Sequence, residues 1–239
     1  MATVGLGLES ANVVGYASTS LQQGFTAAGA SFVNVTDATL KFGDISVTGY
    51  GDDGSADNMI IVQTLTANGK PKDTYYWADY TEGEESWFGW YNADWSECYN
   101  AVPLAPGDGL WIQAPSADIS IMSAGAVPSA GIAVNLVAGG FKLVANPMPA
   151  PINLGLITIS GYGDSYADNM IVAQTLTANG KPAAEYIWAD YSEGEESWYG
   201  WYNADWSTDY NAEPVDAGVG LWVQAPGESN LKINFPSPL

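Results

Sequence analysis

"YYWADYTEGEESWFGWYNADWS" spans Tyr75–Ser96, and "YIWADYSEGEESWYGWYNADWS" repeats it at Tyr186–Ser207. Each stretch reads as two aromatic-rich runs joined by an acidic Glu-Gly-Glu-Glu tip, the layout of a β-hairpin with a charged turn. Successive side chains of a strand point to opposite faces. In "SWFGWY", Trp87, Gly89 and Tyr91 therefore share one face, and Phe88 and Trp90 share the other. Both faces are aromatic, and leaving both in water would expose a large apolar area. One face is expected to fill a core, and the other to meet a partner domain, another subunit or a ligand.

The hairpin belongs to a longer duplication. Met59–Pro115 aligns without gaps on Met170–Pro226, with 41 identities in 57 positions, which makes the two halves copies of one unit. The match continues upstream through "ISVTGYGDD" (Ile45–Asp53) and "ITISGYGDS" (Ile157–Ser165), then through Gly24-Phe25 and Gly140-Phe141. Short β-branched or aromatic runs recur, among them "NMIIVQTL", "GLWIQA" and "DISIM", punctuated by Gly, Pro, Asn and Asp. "TANGKP" sets Asn-Gly between two of them, a strong hairpin signal. No segment sustains a helical stripe. The expected fold is all-β: two tandem, homologous antiparallel β-sandwich domains. Their expected limits are an N-terminal extension over 1–14, repeat 1 over 15–123, a small uncharged linker over 124–131 and repeat 2 over 132–239.

Composition narrows the chemistry. The chain has 239 residues, 27 of them acidic against six Lys, with no Arg and no His, for a formal charge of −21. A polyanion without the Arg fork does not neutralise phosphates, so nucleic acid and anionic membranes are poor partners. Without His there is no imidazole base and no His-ligated zinc. No run of about 18 apolar residues occurs, so no membrane span is expected. Cys98, the one cysteine of the sequence, corresponds to Asp209 in the second copy; a position that takes either residue is expected to be exposed.

Three kinds of site can be read from the residues. Trp90, Trp95, Trp201 and Trp206, with Asn92, Asp94, Asn203 and Asp205, could present rings and hydrogen-bonding groups to a glycan, or could simply pack. Asp79 and Glu85 could be imagined as a glycosidase pair, but acids at a hairpin tip are solvated by water rather than held in an apolar pocket, so no enzymatic activity is expected. "GDDGSADN" and "GDSYADN" put Asp52, Asp57, Asp164 and Asp168 in Gly-containing loops, which read either as oxygen ligands for calcium or as plain turns. No other cofactor is expected.

The stretch "ESANVVGY" (Glu9–Tyr16), with "GFKLVANPM" (Gly140–Met148), the paired "GWYNADW" and "GLWVQAP", resembles a loosely defined group of exported, repeat-containing bacterial surface proteins. The resemblance implies export and a repeated β fold, and it carries no catalytic residue with it. Met1–Leu8 are apolar but lack the basic start of a signal peptide; they read as a remnant of one or as a strand without a partner in its own chain. Two functions are expected from these observations. One is a structural subunit of an extracellular or cell-surface filament or layer, whose partner is a further copy of itself, joined head to tail. Val4, Leu6, Leu8, Val13 and Val14 would then form a donated strand. The other is a carbohydrate-binding surface module using the Trp and Tyr patches.

Overall fold

A computed structural model describes residues 14–32, 39–51, 58–162, 170–227 and 230–237. Among them there is no α-helix; the chain is all-β and antiparallel. The first half contributes β1 (Val14–Ser20), β2 (Gly24–Gly29), β3 (Leu40–Lys41), β4 (Ile45–Thr48), β5 (Ile61–Leu65), β6 (Pro71–Glu82), β7 (Glu85–Tyr91), β8 (Pro103–Leu104), β9 (Gly109–Ala114) and β10 (Ser120–Ala126). They form a five-stranded sheet in the order β2-β9-β5-β6-β7, a three-stranded sheet β1-β10-β4 and a short pair β3-β8. The second half repeats the pattern with β11 (Ile132–Asn135), β12 (Phe141–Ala145), β13 (Ile152–Asn153), β14 (Thr158–Ser160), β15 (Val172–Leu176), β16 (Pro182–Glu193), β17 (Glu196–Tyr202), β18 (Pro214–Val215), β19 (Gly220–Gln224) and β20 (Lys232–Phe235). Its sheets are β12-β19-β15-β16-β17, β11-β20-β14 and β13-β18, the same order strand for strand.

Each half holds its own core, filled from both of its larger sheets as in a β-sandwich. In the first unit Ile45 of β4 and Ile121 of β10 meet Val62, Trp77, Trp90 and Ile112 of the five-stranded sheet. In the second, Ile159 and Ile233 meet Ala173, Trp188, Trp201 and Val223. Alternation explains the selection: in "GLWIQA" Leu110, Ile112 and Ala114 are buried, while Trp111 and Gln113 point the other way.

The hairpin of the opening stretch pairs from Tyr76↔Tyr91 to Glu82↔Glu85, and its twin from Ile187↔Tyr202 to Glu193↔Glu196. Gly83 and Gly194 at the tips have φ of 62°, a left-handed conformation that glycine adopts without steric cost. Two boundaries differ from the sequence reading. Ala124, Gly125 and Ala126 complete β10, so the connection between the units is Val127–Gly131. Val14 opens β1 and pairs with Ala126 of its own chain, which takes it out of any donated segment. Val4, Leu6, Leu8 and Val13 lie outside the described residues, as do Asp52, Asp57, Asp164 and Asp168.

Candidate functional site

Trp90 and Trp201 are not surface rings. Both are completely buried, and each indole N–H donates to a backbone carbonyl across the sandwich, Trp90 to Ile45 O at 3.1 Å and Trp201 to Ile157 O at 2.7 Å. The face of β7 that carries Trp90 is the core face, and these two rings are therefore corrected from contact surface to core. Their neighbours Phe88 and Tyr199, on the same face but nearer the tip, are 62% and 55% exposed. Each stands edge-on at 5.2 Å to a core tryptophan, Trp77 or Trp188.

The opposite face is covered largely by the chain's own next turn. Asn92 accepts from Glu97 N at 3.1 Å and donates through Nδ2 to Ser96 Oγ at 2.9 Å. This polar frame holds Trp95 at φ 57°, with its twin Trp206 at 59°. A left-handed conformation at a bulky residue costs about 1–3 kcal/mol and persists only where the surroundings enforce it. Here it swings the Trp95 ring back over Trp87 at 5.6 Å and Tyr80 at 5.7 Å. Trp206 does the same with Trp198 and Tyr191. The indole nitrogens of Trp95 and Trp206 are buried without a hydrogen-bond partner, so the donor that a sugar hydroxyl would use is turned inward.

Asp94 is spent on the same turn. It accepts from the Ser96 hydroxyl at 2.7 Å and from Ser96 N at 3.3 Å. The hydroxyl first and the backbone N–H second hold its carboxyl below the usual aspartate range, and Ser207 does the same to Asp205. A carboxylate with a depressed folded-state pKa adds stability above its unfolded pKa, and that contribution is lost as pH falls through the folded value. Carboxyl NMR titrations of Asp94 and Asp205 should therefore show midpoints below those of ordinary exposed aspartates. Ser96→Ala and Ser207→Ala should move them back up; midpoints that stay put would refute this account of the turn. Asp79 and Glu85 are exposed, on β6 and at the start of β7. Among the described residues no group of three or more Cys, Asp or Glu is arranged to hold a metal ion. Cys98 is exposed and bridges Tyr91, as Asp209 bridges Tyr202.

The edge of the hairpin is sealed over half its length. Asn100 Oδ1 accepts from Trp90 N at 2.8 Å, its Nδ2 donates to Phe88 O at 3.4 Å, and Tyr99 N donates to Trp90 O at 2.7 Å. Asn211 repeats this on β17. Gly89 and Gly200, at φ 120° and 122°, leave room for these amides, which a Cβ there would strike.

A second surface escaped the sequence reading altogether. The two units meet through a reciprocal contact in which each "TANGKP" turn clasps the other unit. Phe25 N donates to Ala178 O and Phe141 N to Ala67 O, both at 2.8 Å. Gly29 N donates to Gly218 O at 2.9 Å and Ala145 N to Gly107 O at 3.0 Å. The outward tryptophans Trp111 and Trp222 meet edge to face at 5.5 Å, flanked by Phe25 and Phe141. Gly180 lies under Trp111 and Gly69 under Trp222, where a Cβ would stand 2.7 Å from the ring in each case. The one signal in the sequence was Trp at the outward position of both Gly-Leu-Trp strands.

The two halves of this contact differ in charge. Lys142 Nζ lies 2.7 Å from Asp108 Oδ1, with side-chain exposures of 28% and 32%. Their counterparts in the other half are Thr26 and Val219. Beside this ion pair a cavity of about 350 Å³ opens between the units, with Lys72, Asp73, Tyr75 and Phe141 among its walls.

No family model matches the chain, no curated protein matches it, and no solved structure matches it. No helix among the described residues is long and apolar enough to cross a membrane.

Proposed function

We propose that the chain is a non-catalytic structural subunit that assembles with further copies of itself, outside the cell, into a filament or layer. The observation that carries this reading is the pair of exposed rings, Phe88 and Tyr199, at equivalent places on two hairpins of one duplicated body. Each lies on β7 or β17, the last strand in the order of its five-stranded sheet, and an exposed ring on an edge strand is the kind of surface that another protein covers. Two such surfaces per subunit make it bivalent, and bivalent contacts that do not close propagate. The charge of −21 is compatible with close packing, because repulsion beyond about 8 Å is screened at physiological salt.

Strand donation is not required to complete either unit. The three-stranded sheets β1-β10-β4 and β11-β20-β14 are each filled from their own half of the chain. A strand from residues 1–13 would add to an edge rather than fill a gap.

Negative-stain electron microscopy of the purified chain tests the reading. Wild type should form filaments or sheets, and the Phe88→Ser/Tyr199→Ser double variant should retain its fold and lose at least tenfold in assembled material. Absence of any assembly by wild type would overturn the proposal. Filaments that survive the double variant but vanish on deletion of residues 1–12 would move the contact to the N-terminal segment.

A further inference from the structure

We infer that the surface joining the two units also joins copies of this chain, unit 1 of one molecule docking on unit 2 of the next. The inference rests on the assembly reading above and adds a second contact between copies, beside the one at the hairpin rings.

The contact is isologous in its backbone. Phe25 to Ala178 is matched by Phe141 to Ala67, Gly29 to Gly218 by Ala145 to Gly107, and the bridge Ala28↔Val219 by Val144↔Asp108. Nothing in these contacts requires both units to belong to one chain. By backbone shape alone the surface could equally pair unit 1 with unit 1, or unit 2 with unit 2. The charges break that degeneracy. A unit 1 pair would set each Asp108 against Thr26, and a unit 2 pair would set each Lys142 against Val219. Only the mixed pairing brings Lys142 to Asp108. Placing a charge where the wrong partner leaves it without a counter-ion is how proteins discriminate among similar interfaces.

Exchange is also inexpensive in structure. The units are tied covalently through Val127–Gly131, and the strands on either side stay at home: β10 pairs with β1 and β4, and β11 pairs with β20. Opening the molecule therefore changes the path of five residues and breaks no sheet. A short connecting segment between separable units is the usual setting for exchange between copies. Each opened chain presents one surface of each kind, so mixed docking yields an open, polar chain or a closed pair. Tethering gives the intrachain contact an effective concentration of order millimolar, so exchange is favoured only where chains are crowded.

Two experiments decide the matter. In the first, Ala28→Cys and Val219→Cys are introduced with Cys98→Ser, the reduced full-length chain is assembled at high concentration and imaged, and the assemblies are then oxidised. A non-reducing denaturing gel should show a ladder of multimers. Imaged filaments that give only a monomer-sized band would overturn the inference while leaving the structural-subunit reading intact. In the second, Asp108→Lys and Lys142→Asp chains are prepared separately and also refolded together in equal amounts. Each alone opposes like charges across its own contact, whereas the mixture restores opposite charges only between chains. Light scattering should show at least tenfold more oligomer in the mixture than in either variant alone. A mixture that matches the average of its components would overturn the inference, even if the cysteine variant failed to fold. If wild type forms no assemblies, the subunit reading fails, and the mixture still reports whether the contact works between chains.

Discussion

Trp90→Ala is expected to lower the unfolding free energy by about 3–5 kcal/mol, and Trp201→Ala by a similar amount. Each ring is fully buried between the two sheets of its unit, so truncation removes apolar contacts and leaves a cavity that strand backbones cannot collapse to fill. Around Trp90 the cavity would be bounded by Trp77 and Phe42, whose centroids lie 5.2 and 5.9 Å away. The carbonyl of Ile45 would also lose its indole donor, a smaller term of about 1 kcal/mol. Urea denaturation followed by far-UV circular dichroism would measure the loss. Trp90→Phe separates the terms, since it keeps most of the volume and forfeits the hydrogen bond; its expected effect is well under half that of alanine. A Trp90→Ala chain with unchanged stability would return the ring to the surface and revive a sugar-binding role for it.

The second large effect is expected at glycines rather than rings. Gly109 and Gly220 lie in ordinary extended strands, so conformation does not demand glycine there. Space does. A Cβ on Gly109 would stand 2.8 Å from the Leu143 carbonyl carbon and from Leu143 Cβ, and one on Gly220 would stand 2.6 Å from the Ala27 carbonyl carbon. Because the obstructing atoms are backbone and Cβ of the other unit, no side chain can swing away. The Gly109→Val/Gly220→Val double variant should force the units apart and forfeit the four reciprocal hydrogen bonds, on the order of 4 kcal/mol in total. Ala28 and Val144 belong to both contact and core, but most of each core, from Trp77 and Trp90 to Trp188 and Trp201, lies away from the contact, so each unit should stay folded. The expected signature is a wild-type thermal transition that splits into two, with a larger maximum dimension by small-angle X-ray scattering and unchanged far-UV circular dichroism. A single unshifted transition would mean that the contact between the units contributes little.

Much of the architecture was legible from local pattern. Period-two alternation, turn residues and the duplication lead to two sandwiches, because the covalent geometry of a strand ties side-chain direction to sequence parity. The hairpin joining "YYWADY" to "SWFGWY" followed from the same logic, and the exposure of Cys98 from the Asp209 that replaces it in the second copy. The candidate site was legible only in part. Alternation separates Trp87 from Trp90 but cannot say which parity faces inward when both carry aromatics. That choice is made by Ile45 and Phe42, more than 40 residues away in sequence, which supply the indole's acceptor and the ring beside it. Trp95 is harder still. A left-handed tryptophan is disfavoured locally and arises here because the Asn92 and Asp94 hydrogen bonds and two neighbouring rings outweigh the strain.

The amino-acid sequence by itself determined that this protein is a duplicated, all-β, strongly acidic chain without imidazole or guanidinium chemistry, since those properties follow from composition, parity and repetition. Only the tertiary structure decided which rings are core, which cover themselves and which remain outside. It also turned the motifs Gly-Phe, Asn-Gly and Gly-Leu-Trp from strand and turn punctuation into the two halves of one reciprocal clasp. The physical reason is that alternation describes one strand at a time. The surface that joins two folded units depends on how closely their backbones approach, and that distance is set by pairs of residues far apart along the chain.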